Sequence, residues 1–399
     1  MNDVKKDRRL RILWNSNAVW ANSGYSVQSR DLLFRFLEDG WQMAMVAFYG
    51  LEGGVITING LKCYPRMGDP WGMDACVYHQ QDYKADCVFT FQNVWVCDPN
   101  LLFKIKNWIA YVPIEFDPLE PPNKQRLEKA YRIVTLSRFG YKKVQEAGLQ
   151  STLILEATDT DIFKPMDKME IRKLLGVPPD VFLFGMVAAN KDNPPRKSFQ
   201  QVMDAFARFV KVHPEARLYF HVILQQNDGF PIQEYANLLG ISNKIFFTPA
   251  YDLLFKSQHP VISKIVNTFD VLLSPSSGEG FGLPIIEAQA CGVPVVVNDW
   301  TSMPELVVPG VTGEICEHDT PKWTHLRSYS AEPKLDSLYE KMETVYKYAR
   351  EQKTKDACRK FIVENYDMNT RVKETWIPFL EKIQLELLGQ PKVEIKKEG

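Results

Sequence analysis

No stretch of the 399-residue chain approaches the roughly 20 consecutive apolar residues of a membrane-spanning helix; its longest apolar runs are of strand length. The N-terminal region is polar and charged and has no signal-peptide core. Cysteine is sparse: seven residues, an odd number with no C-x-x-C pair, argue for reduced thiols in a cytoplasm rather than a disulfide framework. Six histidines show no H-E-x-x-H or comparable spacing, so a zinc site is not expected. Neither sign of charge is in excess. With 48 Lys and Arg against 49 Asp and Glu, no overall field draws the chain onto nucleic acid or an anionic membrane. Basic clusters at 5–11 and 392–397 read as solvated ends. Peripheral membrane contact stays open, and oligomeric state is not legible. There are no internal repeats, and a short Lys/Glu-rich tail is the sole low-complexity segment. The expectation is a soluble cytoplasmic enzyme.

What is present is alternation. In the first third, short apolar runs at 11–14, 41–48, 87–91, 108–112 and 133–137 read as strands, and 24–37 reads as a helix with apolar positions at 27, 32, 33, 36 and 37. The pattern breaks at Lys164-Pro165. A second series follows, with strands expected at 181–188, 218–224, 245–247, 270–274 and 293–297. Strands separated by helices predict open, mostly parallel sheets. The reading is an α/β chain of two doubly wound, Rossmann-like halves facing each other across a cleft. The N-terminal half covers 1–165 and the C-terminal half 166–369. A last helix and charged tail, 370–399, complete the chain.

The most informative run is 274–287, S-P-S-S-G-E-G-F-G-L-P-I-I-E. A buried strand ends at its start, and Pro284 suits the first turn of a helix, where a missing N–H costs nothing. The glycines at 278, 280 and 282 then lie in a loop feeding a helix N-terminus, where free N–H groups and the helix dipole favour an anion. Glu279 and Glu287 flank this place. Carboxylates repel phosphate and bind hydroxyls, so a sugar joined to a phosphate is the economical ligand.

This run resembles the signature of the retaining GT-B glycosyltransferases of family 4: Glu, seven residues, Glu, with Gly-Phe-Gly-Leu-Pro after the first. Downstream residues 288–292, Pro294, Pro304-Glu305-Leu306 and 310–313 continue the likeness. The resemblance implies that Glu279 contacts hydroxyls of the transferred sugar. It implies that the backbone of Gly280, Phe281, Gly282 and Leu283 faces sugar and phosphate, and that Glu287 holds the ribose. The family's basic pair after the first strand of the second half is matched by Lys191 and Lys197, with Arg196 beside them. Fixed cations there would stabilise a departing nucleoside diphosphate. Gly24 lies where the family has a glycine-containing loop facing the donor, and Asn22 or Ser23 also reads as a plain helix cap.

Asp159-Thr160-Asp161 spells a metal-binding D-x-D, yet its setting resembles the turn that closes the N-terminal half of GT-B enzymes, and no metal or other cofactor is expected. The acceptor side is poorly defined. Asn93, Glu115 and Arg138 are its candidates, and His79 is an alternative that reads as structural. The resemblance also implies a last helix that crosses back to the N-terminal half. The expected function is retaining transfer of a hexose-type sugar from a UDP-, GDP- or ADP-sugar to an acceptor hydroxyl, in glycan, glycolipid or polysaccharide synthesis. Alternatives are a phosphorylase or epimerase of the same fold, transfer to a modified DNA base, or a non-catalytic nucleotide-sugar-binding subunit.

Overall fold

The computed structural model describes residues 8–191, 195–224, 229–255 and 259–389. The basic tail at 392–397, part of the N-terminal basic cluster, and 192–194 of the expected phosphate loop lie outside the described residues.

Two sheets organise the chain. The first contains β1 (Arg11–Asn17), β2 (Gln42–Tyr49), β3 (Ile56–Ile58), β4 (Leu61–Pro65), β5 (Cys87–Phe91), β6 (Trp108–Val112), β7 (Arg132–Thr135) and β8 (Thr152–Leu153). Their spatial order is β3-β4-β2-β1-β5-β6-β7-β8, parallel throughout except for the β3–β4 hairpin. The second contains β9 (Phe182–Val187), β10 (Ala216–His221), β11 (Ile245–Phe247), β12 (Val271–Ser274), β13 (Val295–Asn298) and β14 (Gly313–Cys316). Its order, β11-β10-β9-β12-β13-β14, is wholly parallel. Helices cover both faces, which is why β5, β6, β12 and β13 read as unbroken apolar runs and are buried at every position.

Among the parallel strands of each sheet the order reverses at one place: between β1 and β5, and between β9 and β12. Ligands of open parallel sheets bind outside the carboxyl ends of the strands at such reversals. The loops after β9 and β12 carry the basic residues and the glycine–glutamate run. Those after β1 and β5 carry Gly24 and Asn93.

Helix Lys168–Leu175 is docked on the second sheet through Asp270, which pairs with Arg172 at 2.8 Å and Lys168 at 3.0 Å. The expected last helix is interrupted. Met368–Arg371 leads into a π-turn at Val372–Trp376 and then into Ile377–Leu388, with Pro378 in its first turn. This segment returns to the first sheet. Trp376 is buried against Trp14, Phe36, Phe89 and Tyr111, with ring centroids 5.0–6.3 Å away. Gln384 accepts from the Leu10 N–H at 3.1 Å, and Glu386 pairs with Arg132 at 2.7 Å.

A short antiparallel hairpin, β15 (Lys322–Trp323) and β16 (Tyr329–Ser330), extends from the second half to the first. Tyr329 and Asp117 exchange backbone hydrogen bonds of 2.7 and 3.3 Å. Nothing in the alternation of the sequence pointed to it.

Candidate active site

Glu279 lies in the loop after β12 and is 7% exposed. One carboxylate oxygen accepts from Lys197 Nζ and from Ser276 Oγ at 2.6 Å, and the other accepts from Arg196 at 3.1 Å. Its backbone N–H donates to Thr301 Oγ1 at 3.0 Å. Burial alone would push this carboxyl up; Lys197 and Arg196 outweigh it and hold the group down at about 2. Burial lowers the Lys197 ammonium, and Glu279 opposes that. Ser276 and Thr301, absent from the sequence reading, orient the glutamate; hydroxyls this common leave no signal in a sequence.

Helix Leu283–Ala290 begins beside this network without a side-chain cap. Its first N–H groups are not consumed by a capping oxygen, which suits an anion. Gly282 enters the helix with φ +118°, and a Cβ there would stand 2.7 Å from Ile285 Cδ1. By contrast Ser23 caps helix Gly24–Glu38, its Oγ accepting from Ser26 N at 3.1 Å. Gly24 nonetheless faces the other half: a Cβ on it would meet Leu283 Cδ1 at 3.4 Å.

The cleft is closed. A Cβ on Gly278 would lie 2.5 Å from the Glu115 carbonyl oxygen, and one on Gly280 would lie 2.4 Å from Pro113 Cβ. The glycines expected to admit a ligand here admit the backbone of the opposite half. Asn22 donates to the carbonyls of Leu253 and Leu254 at 3.1 and 3.0 Å, stitching a second point. Glu115 reaches across to Arg196 at 3.8 Å and accepts from Asn93 at 3.4 Å. Two of the three acceptor-side candidates therefore meet beside Glu279.

Glu287 is buried one turn into the helix, and no hydrogen bond to its carboxyl is formed among the described residues. Burial first, then the charge of Asp31 across the interface, raises it to about 8, with Arg30 opposing. Glu156, following β8, is a carboxyl the sequence reading missed. Burial, then Glu279 and Glu287, push it to about 8 as well. Its one signal is an acid inside the apolar run 153–157. Tyr25 lies in the same field, its hydroxyl pushed well up by burial and then by Glu115, with Arg196 opposing.

Other candidates are placed elsewhere. Lys191 is exposed and has no partner among the described residues; Arg196 rather than Lys191 joins Lys197 at Glu279. Arg138 donates to Tyr366 Oη at 3.3 Å and lines a cavity of about 200 Å³ with Asp367, Arg371 and Glu374, so its side chain is not part of the Glu279 network. Asp159 is engaged by Arg35 at 2.7 Å and by the N–H groups of Asp161 and Ile162, a turn-forming role. His79 stacks on Tyr64 at 4.1 Å.

Two doubly wound halves closed over an uncapped helix start define the GT-B fold. Similarity to known proteins agrees. Residues 167–352, just under half of the chain, match the family described as glycosyl transferases group 1. The D-inositol 3-phosphate glycosyltransferase of Mycobacterium tuberculosis is 30% identical over 189 residues, which is 44% of this chain and 36% of that protein. The match thus spans just over a third of the length of such curated relatives. Among solved structures, sucrose-phosphate synthase from Thermosynechococcus elongatus superposes with a TM-score of 0.77 at 16% identity, covering 94% of this chain and 99% of that one. HepE of Anabaena, solved with UDP and glucose, gives 0.69 at 16% identity over 93% of this chain and 99% of that one. At such identities the likeness is one of fold.

Proposed function

We propose that the chain transfers a hexose-type sugar from a nucleotide-sugar to an acceptor hydroxyl with retention of configuration. The observation that carries this reading is the Arg196–Glu279–Lys197 network at an uncapped helix start, where the strand-order reversals of both sheets meet. Without substrate, the two cations neutralise Glu279. A nucleotide-sugar supplies both halves of an exchange: its hydroxyls replace the cations at Glu279, and its diphosphate takes the cations. As the glycosidic bond breaks, charge grows on the leaving diphosphate, and Arg196, Lys197 and the helix N–H groups strengthen their hold on it. The acceptor hydroxyl attacks from the leaving-group side, and the departing phosphate oxygen takes its proton. Closure over the donor excludes water. Glu287 accepts the ribose hydroxyls, and side-chain cations and helix N–H groups do the work of a metal.

Thermal shift with UDP, GDP, ADP and their sugar conjugates, with and without EDTA, tests this, uridine nucleotides first because HepE was solved with UDP. A shift with one nucleotide family, indifferent to EDTA and lost in Lys197→Ala, is expected. At a hundredfold excess over the dissociation constant the stabilisation is about 2.7 kcal/mol. The absence of any shift would overturn the donor assignment.

A further inference from the structure

The β15–β16 hairpin serves neither sheet. Its inner side is anchored: Leu326 and Ser328 are buried, Thr324 N donates to Ser328 O at 2.9 Å, and Arg327 closes the turn at φ +59°. It is tied to both halves of the molecule. Ala331 N donates to Ser277 O at 3.2 Å, two residues from Glu279, and Tyr329 pairs with Asp117, two residues from Glu115. His325 meets the Trp95 ring edge-on at 6.3 Å, beyond β5.

The outer side carries Trp323, 59% exposed, and Tyr329, 42% exposed, their rings 4.9 Å apart at 67°. A two-stranded hairpin is marginal alone, and large aromatics left in water add nothing to it. Here the tertiary ties hold the hairpin, so the angled rings form a fixed apolar corner. Charged groups rim it, Lys322 with Glu332 and Asp117 with Lys143, both at 2.8 Å. An apolar face with a hydrogen-bonding edge is the complement of a pyranose, whose C–H face is apolar and whose rim bears hydroxyls. A lipid tail would meet the charges, and two side chains offer far less than the roughly 800 Å² per partner of a stable protein interface.

We infer that Trp323 and Tyr329 form an acceptor subsite that binds a saccharide, stacking a pyranose at the mouth of the cleft and leading its hydroxyl toward Glu115 and Glu279. The inference rests on the transferase reading and names its acceptor class. The full chain is examined by saturation-transfer NMR with methyl α- and β-pyranosides of glucose, galactose and mannose, and with maltose, cellobiose and lactose. Nucleotide thermal shift is followed in parallel. Ring-proton saturation is expected in the parent protein, about tenfold weaker binding in Trp323→Ala, and recovery in Trp323→Phe, with the nucleotide response retained. A nucleotide response without any pyranoside signal, or a signal indifferent to Trp323→Ala, overturns the subsite and leaves the transferase reading standing. Loss of the nucleotide response in the parent protein overturns both.

Discussion

At the residue scale, Glu279 is both the proposed chemical centre and a structural counter-charge. It is ionised inside the protein because Lys197 and Arg196 lie against it. The choice of substitution therefore matters. Glu279→Gln keeps an acceptor for Lys197 and Ser276, and turnover should fall by about two to three orders of magnitude with the fold intact. Glu279→Ala leaves two cations unmatched and should also cost roughly 3 kcal/mol in urea unfolding. Near-parent turnover of the Gln variant would remove Glu279 from the chemistry. Equal stability of the two variants would remove its structural role.

At the scale of elements, closure depends on two loops that pass with no room for a side chain. Gly280 faces Pro113 so closely that a methyl group cannot enter unless the halves separate. Gly280→Ala should therefore hold the cleft open. Turnover is expected to drop by about a hundredfold, since a misplacement of ångström size has that effect. Solution scattering should show a larger radius of gyration with saturating nucleotide than the parent protein has. A variant that compacts like the parent would mean that Pro113 yields. The elements themselves were legible to different degrees. The central parallel strands stood out because both faces are buried and the runs are unbroken, whereas β8 and β14, short strands at the sheet edges, were not expected. The β3–β4 hairpin was overlooked despite its Asn59-Gly60 turn, where both residues have positive φ as a tight two-residue turn requires. β15 and β16 are two residues each, too short for any periodicity.

For the whole molecule, the closed interface determines how stability responds to pH. Burial raises Asp31 to about 6, Glu120 and Glu305 to about 7, and Glu156 and Glu287 to about 8. Each binds its proton more tightly folded than unfolded, so stability falls as pH rises from the unfolded value to the folded one. Buried His221, lowered to about 4, and His259, lowered to about 3, act the other way, but only below their unfolded value of about 6.5. Between pH 6.5 and 8 the five raised carboxyls dominate, opposed toward pH 8 by Lys168, which burial lowers to about 8 against the pull of Asp270, and the melting temperature should decline. Glu156→Gln should raise stability at pH 8 by roughly 1–2 kcal/mol and flatten that decline, after allowance for water penetration. A variant whose curve runs parallel to that of the parent would show that Glu156 is not held protonated.

The sequence by itself determined the two alternating halves, the start of helix Leu283–Ala290 after a glycine-rich loop and the placing of Glu279 before it and Glu287 within it, because these follow from local periodicity and from fixed spacing along one chain. It also singled out Lys197, Arg196, Asn93 and Glu115. It could not rank Arg196 above Lys191, because which cation reaches Glu279 depends on how the loop after β9 folds against the loop after β12. Nor could it assign a role to Glu156 or to the hairpin beside Asp117. Their significance lies in partners more than a hundred residues away, and only the tertiary structure brings those charges and rings within interaction range.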